Sequence, residues 1–212
     1  AEGKVRPEAI KMAGELGSPD QLPSLLNLLV GFEASQDLEA TRQALSNLCG
    51  KSDDTQAISK LLIARLDDAS PAQKIVLLRV LSGVGGPTAL KAVREAVEDS
   101  NEEVHTGAIR ALGTWKTADA ATDLLALAKT ADNANDKMLC LRSYLGFAAR
   151  RDLPPERRLA MCREAVELVR RADEKKLLVG TLGGIQAVDA LELIEPYLTD
   201  SDAKQEAVVA SL

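Results

Sequence analysis

The chain has 212 residues, 46% of them hydrophobic, 27% charged and only 2% aromatic, with a formal net charge of −6. That acidic balance argues against a dedicated nucleic-acid binder, which needs clustered cations to neutralise phosphates. A single histidine excludes multi-histidine metal sites and argues against a histidine-dependent nucleophilic triad.

Taken in order, residues 4–16 read as a helix. Ser18-Pro19 offers a cap and first-turn proline for a second, running to about Val30. A third is expected near 38–49, and Ser52 is placed as the cap of one ending near Leu66. Ser70-Pro71 opens the next, to about Gly83, followed by 87–98, 102–115, 118–130 and 135–150. Pro154-Pro155 starts a longer helix to about Arg171, then come 173–184, 187–198 and a segment from Asp202. Turn aspartates Asp67, Asp68, Asp99, Asp132 and Asp200 suit caps of the helices that follow. Ala and Leu abound and strand-like alternation is nearly absent, so the profile is all-α.

A repeat underlies these helices. Anchors Ala13, Leu45, Leu81, Leu112, Leu145 and Leu182 are spaced by 32, 36, 31, 33 and 37 residues, and each is followed by a small residue. Columns four and one residues before the anchor (Ala9, Thr41, Leu77, Ala108, Leu141 and Leu178; Met12, Ala44, Val80, Ala111, Tyr144 and Thr181) fall on one helix side, expected to be buried. The small column is Gly14, Ser46, Ser82, Gly113, Gly146 and Gly183. A glycine inside a helix costs roughly 1 kcal/mol relative to alanine. Close approach of neighbouring helices is the preferred reason for it here, over an αL C-cap.

Leu22-Pro23-Ser24-Leu25-Leu26 and Leu124-Leu125 in first helices, with Val5-Arg6, Val104-His105 and Ala111-Leu112-Gly113 in second helices, give a pattern that resembles HEAT repeats, an armadillo-like helical family. The resemblance covers nearly all of residues 4–212. It implies a right-handed α-α superhelix, a HEAT-like solenoid of about six helix pairs. The domain expectation is a single array over residues 1–212, a segment of a longer protein. The family's basic position is held by Leu38, Lys74, His105, Met138 and Lys175 in the other units, so an unbroken Asp–Arg ladder is not expected. Similar short arrays occur in bacterial proteins, including large exported ones, which leans the setting towards export or the periplasm.

In such arrays the second helices line the concave side. Two residues before the anchor stand Lys11, Gln43, Arg79, Arg110, Ser143 and Gly180, and two after it Glu15, Asn47, Gly83, Thr114, Phe147 and Gly184. Lys11, Gln43, Arg79, Arg110, Asn47 and Thr114 are the groove residues expected to meet a partner. A second candidate is a basic patch of Arg150, Arg151, Arg157 and Arg158 inside Arg150–Arg171. An acidic partner or phosphate would suit it. The bland alternative is a solvated helix with near neighbours such as Arg163 and Glu167 paired.

The remaining features read as structure. His105 is expected at the surface near a helix start and Trp115 in the core. Cys49, Cys140 and Cys162, odd in number and unpatterned, are expected as small packing residues. Gly83-Val84-Gly85-Gly86 follows a helix and lacks a P-loop's Lys-Ser/Thr ending, so it is an inter-helix turn. No 18-residue apolar run exists, so no membrane span is expected. The reading is a non-enzymatic scaffold that binds a protein or peptide in its groove, with no cofactor and no metal. The alternatives are an accessory lyase resembling the phycobilin-lyase type and a nucleic-acid-binding array. A deep apolar pocket with convergent polar groups would favour the lyase, and a contiguous basic strip the nucleic-acid binder.

Overall fold

The computed structural model describes residues 2–212, with side chains from Val5 onward. Among the described residues there are thirteen α-helices and no strand. The fold is all-α, built from the helical hairpins of an α solenoid. Two compact units divide the chain, Ala1–Ala120 and Ala121–Leu212.

The first unit holds α1 (Glu2–Leu16), α2 (Leu22–Leu29), α3 (Ser35–Cys49), α4 (Thr55–Ile63), α5 (Pro71–Val84), α6 (Pro87–Val97) and α7 (Glu102–Gly113). Helices α1, α3, α5 and α7 pack each on the next, while α2, α4 and α6 lie against them as a second row. The second unit holds α8 (Ala121–Thr130), α9 (Ala134–Ala148), α10 (Pro155–Val166), α11 (Ala172–Gly183), α12 (Val188–Ile194) and α13 (Lys204–Ala210). There α9 lies between α8 and α10, and α11 packs on α12 and α13.

The anchor column is the core. Leu45, Leu81, Leu112, Leu145 and Leu182 are each fully buried, as are Leu77, Ala108 and Leu178 four residues earlier. Helix α1 departs from this register. Its buried residues are Pro7, Ile10 and Gly14, whereas Ala9, Met12, Ala13 and Leu16 are exposed. The helix is therefore rotated about one residue from the repeat pattern, which brings Gly14 rather than Ala13 against α3.

The small column has two fates. A Cβ on Gly14 would lie 2.3 Å from the Ala44 Cα, and one on Gly183 would lie 2.7 Å from the Ala210 Cβ. A Cβ on Gly146 would meet nothing within 4 Å. Close approach thus holds for α1–α3 and α11–α13 but not for α9. Neither of the two positive-φ glycines, Gly85 (75°) and Gly86 (85°), belongs to the column. Those two glycines make the turn between α5 and α6, in which only glycine adopts such angles freely.

Helix ends follow local chemistry. Ser70 and Gln73 form a reciprocal capping box at α5, and Gln73 Nε2 also donates to the carbonyls of Val30 and Phe32. The cap of α4 is Asp54, whose carboxylate accepts from the Ala57 amide, and not Ser52, which instead accepts from the Asp54 amide. Asn101 and Asn133 cap α7 and α9, one residue or more beyond the aspartates expected there. Helix α10 ends at Val166, short of Arg171, with a turn at Glu167 and Leu168. Lys51 reaches back to the carbonyls of Gly14, Glu15 and Gly17, a cation at the negative end of α1.

The basic position of the repeat does tie turns down. Lys74 Nζ lies 3.0 Å from Asp99 and Lys175 Nζ 2.8 Å from Asp200, in both cases 25 residues on. Asp99 and Asp200 also accept from the Asn101 and Asp202 amides. Arg6 pairs with Asp37 and Arg142 with Asp173. The ladder is broken, as expected: Arg6, Lys74 and Lys175 pair from the basic position, Leu38 and Met138 carry no charge there, and Arg142 lies outside it.

Candidate partner-binding face

Three of the sequence-predicted residues, Gln43, Arg79 and Arg110, are exposed at one repeat position on the packed helices α3, α5 and α7. Lys11 stands at that sequence position on α1, whose register is rotated about one residue, and is half-buried. Asn47 and Thr114, one turn further along α3 and at the end of α7, are exposed on the same face.

Charges on this face are partly matched. Lys11 pairs with Glu8 at 2.8 Å. Glu39 is held by Arg42 through both carboxylate oxygens at 2.6–3.1 Å, and Arg79 reaches one of them at 3.4 Å. The hydrogen bond from Arg42, with the two guanidinium charges, holds the Glu39 carboxyl below its ordinary range against the opposing effect of burial.

Ser82 Oγ donates to the Arg79 carbonyl at 2.8 Å within α5, and Thr114 Oγ1 to the Arg110 carbonyl at 3.1 Å at the end of α7. The bond that crosses between the two helices is from the Lys116 amide to the Ser82 carbonyl. The column is legible in the sequence but this cross-tie is not, because it depends on where the backbone just past α7 lies.

Two cavities lie beside these helices. One of ≈ 420 Å³ lies between α1 and α3, lined by Pro7, Glu8, Lys11, Gln36, Glu39 and Ala40 among others. The other, of ≈ 250 Å³, lies at the C-terminal ends of α3 and α5, where Ser46, Cys49, Val80, Gly83, Val84 and Lys116 contribute. In the second unit an open groove of ≈ 500 Å³ runs between α11 and α13 over Gly180, Gly183, Gly184, Val209 and Ala210, with Gln205 and Glu206 at its side.

Elsewhere the expected positions scatter. Phe147, expected in the groove, is buried at 3% exposure with the Arg150 guanidinium 5.6 Å from its ring centroid. Packing of α9 between α8 and α10 turns that column inward. The basic patch is not one surface. Arg150 pairs with Asp152, Arg151 and Arg157 are exposed, and Arg158 is buried. Arg158 donates from Nε to the Ala148 carbonyl at 2.8 Å and from Nη1 to the Gly184 carbonyl at 3.1 Å. It is an internal tie, and so it leaves the patch. Arg163 pairs with Asp189 rather than Glu167.

Trp115 is buried, and His105 is half-buried with Nδ1 against the Val97 carbonyl. All three cysteines are buried and unbridged, and burial pushes each thiol up to about 12. Among the described residues no group of three or more His, Cys, Asp or Glu could hold a metal ion, and no helix is long and apolar enough to cross a membrane.

The family model for HEAT repeats matches residues 58–143. Over that stretch the chain is similar to HEAT repeats. The HEAT segment runs from within α4 into α9, so it includes Arg79, Arg110 and Thr114 and leaves Lys11, Gln43 and Asn47 outside. HEAT repeats are commonly protein-interaction scaffolds. No curated protein matches the chain.

Proposed function

We propose that the chain is a non-enzymatic scaffold that binds a protein or peptide on the face formed by α1, α3, α5 and α7. One observation supports the reading: Gln43, Arg79 and Arg110 are exposed at a single repeat position on three successively packed helices, α3, α5 and α7. Stacked repeats create an extended surface whose backbone is already ordered, so a partner is not charged the entropy of arranging its own binding site. The cavities beside these helices are lined by both polar and apolar side chains, which suits the varied side chains of a protein or peptide segment.

The test is site-directed photo-cross-linking in cells, with a photoreactive residue at Gln43 or, as a control, at Lys91 on the outer row. Discrete protein adducts from position 43 and none from 91 are the expected outcome. Equal labelling from both positions, or small-molecule adducts alone, would remove the reading.

A further inference from the structure

The charge on the α5–α7 part of this face is unbalanced in a way that specifies its partner. Arg42, Arg79 and Arg110 present three guanidinium groups, and Glu39 supplies a carboxylate to Arg42 and Arg79 alone. Arg42 occupies both of its oxygens, which leaves Arg79 a long contact of 3.4 Å to one. Arg110 is exposed, and among the described residues no carboxylate is within ion-pairing reach of it. Helix α5 itself contains no Asp or Glu. This excess of cations stands on a chain whose net charge is −6.

Geometry joins the two arginines. They occupy one repeat position on α5 and α7, which pack on each other, and the Lys116 amide just past α7 donates to the Ser82 carbonyl near the end of α5. A guanidinium presents a planar fork that matches a carboxylate through two parallel hydrogen bonds. Two such forks side by side complement successive or alternate acidic side chains of an extended segment. Beyond them, Gly83 lines the ≈ 250 Å³ cavity together with Asp53 and Lys116, which leaves room for an uncharged neighbouring side chain of that segment.

We infer that Arg79 and Arg110 form a carboxylate-reading pair, and that the partner segment docking on this face is an acidic peptide. The inference rests on the scaffold reading above and adds the partner's chemistry to it. Charge complementarity at such a patch governs which partner is accepted and how fast it associates.

The experiment pans a displayed random peptide library against the full chain. Two charge-reversed double variants are panned alongside: Arg79→Glu/Arg110→Glu, and Arg151→Glu/Arg157→Glu as a control with the same change in net charge. All four positions are exposed, and equal denaturant midpoints establish that the variants are folded. Peptides enriched in Asp and Glu are expected on the wild type and on the control, with the acidic bias lost on the Arg79/Arg110 variant. A synthetic copy of one enriched peptide should bind that variant at least about tenfold more weakly.

Peptides enriched without acidic bias, or acidic peptides held equally by the Arg79/Arg110 variant, overturn the inference and leave the scaffold reading standing. A single-stranded DNA oligomer of equal charge that binds more tightly than the peptide, and depends on the same two arginines, overturns it in favour of nucleic acid. Failure to enrich any peptide overturns the inference and leaves the scaffold reading to the cross-linking at position 43.

Discussion

Gly14 and Ala44 stand so close that a methyl group on Gly14 would lie 2.3 Å from the Ala44 Cα and 2.6 Å from its Cβ. The obstacle is backbone, so no rotamer change relieves it. Gly14→Ala should therefore destabilise by about 1–3 kcal/mol, as overpacking does. Gly146 occupies the same repeat position with nothing within 4 Å, and there Gly146→Ala should stabilise by about 0.5–1 kcal/mol through lost unfolded-state freedom. Urea midpoints of the two variants, measured together, should move in opposite directions.

Arg158 offers a second test. Its guanidinium links the carbonyl of Ala148 at the end of α9 to that of Gly184 just past α11. Arg158→Ala leaves both carbonyls without their charged donor and should cost about 2–3 kcal/mol. Arg158→Lys should recover little, because a single ammonium on a flexible stem does not reproduce the two-armed fork. Thermal unfolding followed by circular dichroism distinguishes these cases, and near-equal stability of the Lys variant and the wild type would discard the bridging role.

How far the sequence foretold this molecule is visible in individual residues. Ser70-Pro71 marked the start of α5 because its cap, proline and Gln73 are all local features, and the anchor leucines marked the core because burial repeats with the helix pair. The end of α10 at Val166 was hidden, since an arginine- and glutamate-rich run carries no glycine or proline to stop it. Arg158 looked like its exposed neighbour Arg157; only the positions of two carbonyls, 10 and 26 residues distant, draw it inside. On the candidate face, the register of Lys11, Gln43, Arg79 and Arg110 was legible as a column. Which arginine would claim Glu39 was not, because that depends on side-chain reach across α3 and α5.

The cysteines yield a third prediction. Cys49, Cys140 and Cys162 are buried among apolar side chains, and desolvation disfavours the thiolate in each. With the thiols pushed up to about 12, almost none is ionised at pH 8. Ellman's reagent should label the native protein slowly and all three thiols at once in concentrated urea. Fast labelling of any one without denaturant would show that its helix opens or that its burial is overstated.

Acid sensitivity follows from the turn carboxylates. Asp99 is held below its ordinary range first by the Asn101 amide and then by Lys74, and Asp200 first by Lys175 and then by the Asp202 amide. A folded-state pKa below the unfolded value means that the native state releases the proton more readily. The associated stability is present above the ordinary aspartate value of 3.8 and is lost as pH falls through the lower folded value. Lys175 behaves oppositely: its two carboxylate partners raise it, so its share persists at neutral pH and is lost only well above 10.5. Asp99→Asn/Asp200→Asn should therefore be less stable than the wild type at pH 7, and the two should converge as pH falls below the aspartate range. Both carboxylates are partly exposed at the surface, so the gap should be modest and should shrink in high salt. Denaturant midpoints between pH 2 and pH 7 measure it, and a gap that stays constant across that range would mean that the two turns are held by their backbone bonds and not by charge.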